Sequence, residues 1–201
     1  MSLPPSYFDD LYAAGDDPWS LRTRWYERRK YALTTAALPR RRYAEALEVG
    51  CSVGELTAAL APRCDRLTAW DASAAAVARA AERNPGVDVQ QRVAPVDPLP
   101  PVDLLVLSEV LYYLSAPDLA ALLEQVRTAV RPGGTLVAVH WRHPVADYPQ
   151  TGDAVHEALR EALAWPQVAA HEEPDLLLDC WVRAAPGDER AASVAAAEDL
   201  W

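Results

Sequence analysis

The chain has few of the residues on which several protein classes depend. Its cysteines, Cys51, Cys64 and Cys180, are widely spaced and form no C-x-x-C pair, which argues against a disulfide framework or a zinc site. Lys30 is the only lysine, and isoleucine is absent. The net charge of −10 argues against nucleic acid as the main partner, because phosphate binding requires a basic surface.

Long apolar runs are missing as well. No stretch reaches ~18 uninterrupted apolar residues, so we expect no membrane span. The first residues lack a basic segment followed by an apolar one, so we expect no secretion signal and a cytoplasmic protein. The 201 residues, 51% hydrophobic and 24% charged, predict a single folded domain over 1–201. Within it we expect a helical cap over 1–40, a core over 41–185 and a tail over 186–201.

Predicted strands and helices alternate through most of the chain. Strands are predicted over 43–49, 66–71, 87–93, 102–107 and 135–140, and helices over 7–12, 19–38, 54–61, 73–84, 117–130 and 151–164. Two further strands, 168–173 and 176–183, follow as a hairpin. This order predicts an α/β fold with a doubly wound, mostly parallel sheet that ends in an antiparallel hairpin.

The run from Ala46 to Gly54 (A-L-E-V-G-C-S-V-G) is the most informative segment. An apolar strand leads into a glycine loop and a helix, and the next strand ends at Asp71. This is the first half of a nucleotide-binding unit, in which glycines admit the ligand and the carboxylate accepts ribose hydroxyls. Glu55 occupies the position where nicotinamide-binding loops have a third small residue, which disfavours a nicotinamide oxidoreductase.

The same loop, with Glu48 just before it, resembles motif I of class I S-adenosylmethionine (SAM) methyltransferases. The R-P-G-G sequence at 131–134, before the fifth strand, also recurs in that superfamily. The resemblance implies a seven-stranded Rossmann-like fold and SAM as cofactor, with S-adenosylhomocysteine (SAH) as product. Glu48 is expected to face the cofactor's amino group and Asp71 its ribose. The other cofactor contacts expected from the sequence are Gly50, Cys51, Ser52, Gly54, Ala72, Ala94 and Ser108.

Polar and aromatic side chains follow the fourth and fifth strands. Because ligands bind outside the carboxyl ends of such strands, the segments 108–113 and 140–148 are expected to contact the acceptor. Glu109 and His143 are the first candidates to take a proton from the acceptor, followed by Tyr113 and Asp147. No metal site is expected, since no helical histidine pair is present.

The N-terminal segment combines aromatic and cationic residues, including Trp19 and Arg29. We expect this segment to cover the cofactor, with an arginine paired to the methionine carboxylate. Its motifs, at 7–12, 17–19 and 25–30, together with H-W-R-H at 140–143, resemble the nodulation protein S (NodS) branch of SAM methyltransferases.

The NodS resemblance implies N-methylation, because the family prototype methylates the free amine of a deacetylated chitooligosaccharide. We therefore expect a small polar acceptor, such as an amino sugar, and neither nucleic acid nor membrane as partner. Three alternatives stay open at this point: an O-methyltransferase, a nicotinamide oxidoreductase and a SAM-binding protein without catalysis. The sequence does not predict the oligomeric state.

Overall fold

The structure is a computed structural model that describes residues 1–184, 188, 190 and 193–200. Within these residues, seven strands form one sheet. They are β1 (Tyr43–Val49), β2 (Cys64–Asp71), β3 (Asp88–Gln91), β4 (Val102–Ser108), β5 (Val130–Trp141), β6 (Gln167–Glu172) and β7 (Leu176–Val182). The helices are α1 (Pro5–Ala14), α2 (Trp25–Ala37), α3 (Glu55–Leu60), α4 (Ala74–Arg83), α5 (Ala116–Ala129), α6 (Gly152–Ala162) and α7 (Val194–Ala197), with short 3-10 turns at Ala61–Arg63 and Leu111–Tyr113.

The strand order is β3-β2-β1-β4-β5-β7-β6, and β7 runs antiparallel to both of its neighbours. The predicted seven-stranded, mostly parallel sheet with a closing hairpin is therefore confirmed. Strand β4 is buried on both faces of the sheet. Leu105 and Leu107 pack into the core on one face, while Leu104 and Val106 pack into the core on the other. A strand buried on both faces requires the continuous apolar run that the sequence has there.

The order in which the chain adds strands to the sheet reverses between β1 and β4, which are neighbours in the sheet. The connections that leave these two strands diverge, and a crevice opens at their carboxyl ends. The N-terminal helices cover this edge, with α1 packed on α4 and α2 packed on α3. The chain before α1 is also attached there, since Leu3 N donates to Tyr113 O at 2.9 Å.

The predicted helix over 19–38 begins only at Trp25. The reason lies in Asp17, whose two carboxylate oxygens accept the backbone N–H groups of Leu21 and Arg22 at 2.8 and 3.0 Å. Ser20 adopts a φ of +58° in the same turn. A short acidic side chain that bonds to the backbone in this way favours a turn over a helix. The first six residues of the predicted helix therefore form a separate turn.

The C-terminal region differs in detail from the prediction. The 131–134 segment lies within β5, because Gly133 N donates to Arg183 O and Arg183 N donates to Gly134 O. Within the predicted tail the structure describes α7 and an exposed Leu200, whereas Trp201 lies outside the described residues. The single-domain assignment stays a prediction. None of the helices in the described part of the chain has both the length and the apolar character that a membrane span requires.

Candidate cofactor and acceptor site

A cavity of ≈ 390 Å³ lies at the carboxyl ends of β1, β2 and β4, beneath α1 and the start of α2. Most of the residues that the sequence predicts for the site line this cavity. They are Trp19, Glu48, Gly50, Cys51, Ser52, Asp71, Ala72, Ala94, Ser108, Glu109 and Tyr113. The other four, Arg29, Gly54, His143 and Asp147, do not line it.

The two loop glycines have different tasks. Gly50 has a φ of +81°, and a Cβ at this position would lie 3.3 Å from the Cβ of Val110, in the segment after β4. Gly54 has a φ of +80°, and a Cβ there would lie 2.4 Å from Nδ2 of Asn84 and 3.0 Å from Cα of Ala80. Gly50 therefore lets the loop after β1 lie close against the segment after β4. Gly54 instead lets α3 approach α4, which supports the loop from outside the cavity.

Glu48 lies at the end of β1 and is almost fully buried. Thr57 on α3 donates its hydroxyl to the Glu48 carboxylate at 2.6 Å. Burial raises the pKa of Glu48 from 4.5 to about 7, the hydrogen bond from Thr57 opposes this rise, and the nearby Asp71 carboxylate adds to it. Among the described residues, no cationic group pairs with this carboxyl group in the cavity wall.

Asp71 lies at the end of β2, where its carboxylate joins two loops. Its Oδ2 accepts the backbone N–H of Ser52 at 2.8 Å, and its Oδ1 accepts that of Ser73 at 2.9 Å. Burial raises the pKa of Asp71 to about 6, although these backbone donors oppose the rise. Each carboxylate oxygen can accept a further hydrogen bond, so Asp71 retains acceptor capacity toward the cavity.

Glu109 follows β4 and has a φ of +57°, a backbone conformation that is costly for a residue with a side chain. Its Oε1 accepts from Lys30 Nζ at 2.6 Å. Its Oε2 accepts from the Tyr112 hydroxyl at 2.5 Å and from the backbone N–H of Trp141 at 2.9 Å. The carboxylate of Glu109 is therefore held in one orientation at the cavity wall.

Lys30 connects the cap to this carboxylate. Its ammonium is buried and also lies 2.9 Å from the carboxylate of Glu27, one turn earlier on α2. Burial lowers the pKa of Lys30, but the charges of Glu109 and Glu27 outweigh this effect, so the pKa lies above its usual value. The only lysine of the chain is thus a charged, structural link between α2 and the loop after β4.

The polar residues predicted to cluster over 140–148 lie in different environments in the structure. His140 is fully buried behind the cavity wall. His143 is exposed and pairs with Asp175 at 2.7 Å, and Asp147 is also exposed. Only Trp141, Val145 and Tyr148 of this segment line the cavity. This part of the cavity wall is therefore largely aromatic, and Glu109 lies beside it.

Arg29, the arginine expected from the sequence to contact the cofactor, does not line the cavity. Arg29 pairs with Glu173 at 2.5 Å, near the turn between β6 and β7. Arg24, just before α2, lines the cavity, and no side chain or carbonyl group among the described residues accepts from its guanidinium. The cationic residues at 22–30 indicate that an arginine faces the cofactor. Which arginine faces the cavity depends on where α2 begins.

The sequence also did not single out several residues of the cavity wall. Tyr12 on α1 lies 2.5 Å from the hydroxyl of Ser52 in the glycine loop, and it packs edge to face with Trp19. Within the described residues, the charged groups that line the cavity are Arg24, Lys30 and Arg92 together with Glu27, Glu48, Glu55, Asp71 and Glu109. Acids outnumber bases, so the cavity favours a cationic ligand. No metal-binding group of three acids, histidines or cysteines occurs in the part of the chain that the structure describes.

Comparison with known proteins identifies relatives of this chain. The family model for Nodulation protein S (NodS) matches residues 9–156. A Nodulation protein S from Rhizobium tropici is 39% identical over 132 residues, which are 62% of this chain and 55% of that protein. A second, from Bradyrhizobium diazoefficiens, is 36% identical over 135 residues, 62% of each. The chain thus matches a little more than half the length of these relatives.

Solved structures show the same relationship. A putative methyltransferase from Pseudomonas syringae is 46% identical, with a TM-score of 0.70, over 80% of this chain and all of that one. The N-methyltransferase NodS from Bradyrhizobium japonicum WM9, in complex with SAH, is 26% identical, with a TM-score of 0.78, over 90% of this chain and 99% of that one.

Proposed function

Because the chain belongs to the NodS family of class I SAM-dependent methyltransferases, we propose that it transfers the methyl group of SAM to an amine of a small polar acceptor. One observation carries this proposal. A single cavity joins the loop after β1, with Glu48 and Asp71, to the aromatic wall that contains Glu109. The first half has the groups that a SAM molecule needs, and the second has a fixed carboxylate for an amine.

In the proposed complex, Asp71 accepts the ribose hydroxyls and Glu48 accepts the ammonium of the methionine part. Arg24 pairs with the methionine carboxylate, a role that its free guanidinium and its place on the cavity wall support. The remaining proposed contacts with the cofactor are Trp19, Gly50, Cys51, Ser52, Ala72, Ala94 and Ser108. The cofactor brings two cationic groups, the sulfonium and the ammonium, into a cavity where acids outnumber bases.

The acceptor amine is proposed to lie against Glu109, with Tyr113, Tyr148 and Trp141 around it. Methyl transfer is an in-line displacement at the sulfonium methyl, so the protein mainly aligns the two reactants. An amine must lose its proton to attack, and Glu109 is the cavity carboxylate positioned to receive it. Three donors already bond to its oxygens, so we assign Glu109 the orientation of the amine first and proton transfer second. His143 and Asp147 lie outside the cavity and have no role in this proposal.

The other candidate functions find less support. A nicotinamide site needs a third small residue in the loop, whereas Glu55 fills this position and its carboxylate pairs with Arg83 at 2.7 Å. A binding protein without catalysis would need only the part of the cavity that holds the cofactor, whereas this cavity continues to the aromatic wall beside Glu109. The amino-sugar acceptor is the finer part of the proposal and rests on the relationship to NodS N-methyltransferase.

A methyl-transfer assay tests the proposal. The protein is incubated with SAM carrying a deuterated methyl group, and the products are identified by mass spectrometry. Glucosamine and a short oligomer of it are compared with glucose, which has a hydroxyl instead, and with N-acetylglucosamine, which has an amide. We expect label on the free amines alone. Label on glucose would establish an O-methyltransferase, and SAH binding without transfer to any primary amine would contradict the proposed catalysis.

A further inference from the structure

Three polar side chains form a buried chain of hydrogen bonds behind the cavity wall. His140 on β5, His156 on α6 and Asp179 on β7 are each at most 1% exposed. Nδ1 of His140 lies 3.0 Å from Nε2 of His156, and Nδ1 of His156 lies 2.7 Å from Oδ2 of Asp179. At the other end, the backbone N–H of Leu111 donates to Nε2 of His140 at 3.1 Å. None of the three side chains lines the cavity.

The protons in this chain have one consistent arrangement. A backbone N–H can only donate, so Nε2 of His140 must be unprotonated. The neutral His140 ring then carries its proton on Nδ1 and donates it to Nε2 of His156. His156 in turn carries its proton on Nδ1 and donates to Asp179. A second proton on either ring would bring two donors face to face, so both histidines are neutral.

The carboxylate at the end of the chain is held firmly. Asp179 also accepts from Arg160 Nη2 at 2.6 Å and from Gln167 Nε2 at 2.5 Å. The arginine compensates its charge, and the carboxylate can only accept. The direction of every hydrogen bond from Asp179 to Leu111 is therefore determined at both ends. Burial lowers the pKa of His140 well below its usual range, and the charge of Lys30 adds to this effect, in agreement with a neutral ring.

The far end of this hydrogen-bond chain reaches the loop that carries Glu109, the carboxylate proposed to contact the methyl acceptor. Leu111 begins the 3-10 turn after Glu109, and its N–H has no partner within that turn. Three consecutive residues of β5 hold this loop: the carbonyl of Val139 accepts from Glu109 N, His140 accepts from Leu111 N, and Trp141 N donates to Glu109. A positive φ at a glutamate costs ~1–3 kcal/mol and persists only where the surroundings enforce it.

We propose that Asp179, His156 and His140 are positioning residues, which hold the turn of residues 109–113 in the conformation that presents Glu109 and Tyr113 to the methyl acceptor. The inference rests on the proposed methyl transfer for its catalytic meaning, but the hydrogen-bond chain is independent of it. The three residues act through the backbone of Leu111 and touch neither reactant. They also connect α6 and β7, the last elements of the core, to the site.

Nitrogen-15 spectra of the unsubstituted protein report which ring nitrogens carry protons, and they test the hydrogen-bond chain directly. We expect His140 and His156 to be neutral, each with its proton on Nδ1 and an unprotonated Nε2. His143, exposed on the rim, serves as the internal comparison. A proton on Nε2 of either buried ring would overturn the proposal, whatever the protein catalyses.

Two substitutions test the positioning role. In His140→Gln the amide reaches the place of Nε2 and can still accept from Leu111, whereas in His140→Asn it reaches only the place of Nδ1. We expect the Leu111 amide to exchange slowly in the first variant and rapidly in the second. We also expect His140→Asn to lower kcat by ~10²-fold with unchanged SAH affinity, as a small misplacement of a reacting group does.

The controls separate this proposal from the proposed function. His143→Asn should leave both the Leu111 exchange rate and kcat unchanged. If His140→Gln and His140→Asn lose Leu111 protection equally, or keep it equally, the positioning role is wrong. If no acceptor is methylated although the exchange rates behave as expected, the proposed function fails while the anchoring of the turn stands.

Discussion

Glu48 shows what burial does to a single residue of this site. Its position could be predicted from the sequence, because an acid at the end of a buried strand before a glycine loop faces the crevice. Its proton affinity could not be predicted, because it depends on the burial created by α3 and on the distance to Asp71. The structure places both acids in the same wall with raised pKa values, about 7 for Glu48 and about 6 for Asp71.

The raised pKa of Glu48 predicts opposite pH trends for binding and stability. The cofactor's ammonium favours ionised Glu48, so SAH affinity should rise as the pH increases toward 7 and level off above it. The free energy of unfolding of the free protein should fall over the same interval, because the folded state keeps a proton that the unfolded state has lost since pH 4.5. Calorimetry and denaturant titrations across this range measure both quantities.

Glu48→Gln is the matched variant for this prediction. The amide can still accept from Thr57 but does not titrate, so both pH trends should become much weaker. Residual trends should follow Asp71, whose carboxyl group titrates about one pH unit lower. Equal pH dependence in the variant and the unsubstituted protein would show that Glu48 does not control either quantity.

At the scale of elements, the cap α2 is the part that the sequence describes least well. Its aromatic and cationic composition predicted a cover over the cofactor, but not which side chains turn inward. The turn formed around Asp17 delays the helix until Trp25, which leaves Arg24 at the cavity and directs Arg29 toward Glu173. The link between Lys30 and Glu109 spans 79 residues along the chain and has no local signal in the sequence.

The two arginines give a direct test of how the cap is oriented. Arg24→Gln should weaken SAH binding by roughly 10- to 150-fold, because a charge-assisted bond to the methionine carboxylate contributes ~1.5–3 kcal/mol. Arg29→Gln should leave the affinity unchanged and lower stability only slightly, because a solvent-accessible ion pair contributes little to stability. Calorimetry with SAH on both variants decides the matter. The opposite ranking would assign the cofactor carboxylate to Arg29 and would require a different cap position.

At the scale of the whole molecule, the topology could be predicted from the hydrophobic pattern of the sequence. Continuous apolar runs such as 104–107 predict strands buried on both faces, and the alternation with helices predicts their parallel pairing. The crevice between β1 and β4 is a consequence of that topology, so Gly50, Asp71 and Glu109 could be located in advance. The separation of His140 from His143 could not be predicted, because it depends on where β5 ends. His140 lies within the strand, whereas His143 lies beyond its last residue, Trp141.

The proposed function requires that the cavity is a SAM site in which Asp71 binds the ribose. Calorimetry with SAH and with NAD, on the unsubstituted protein, Asp71→Asn and Asp103→Asn, tests this most directly. Asp103 is the control, because it also accepts a backbone N–H, from Glu45 at 3.1 Å, but lies outside the cavity. We expect SAH but not NAD to bind, with affinity reduced roughly 10- to 150-fold by Asp71→Asn and unchanged by Asp103→Asn. Binding of NAD without SAH, or an unaltered SAH affinity in a folded Asp71→Asn variant, would contradict it.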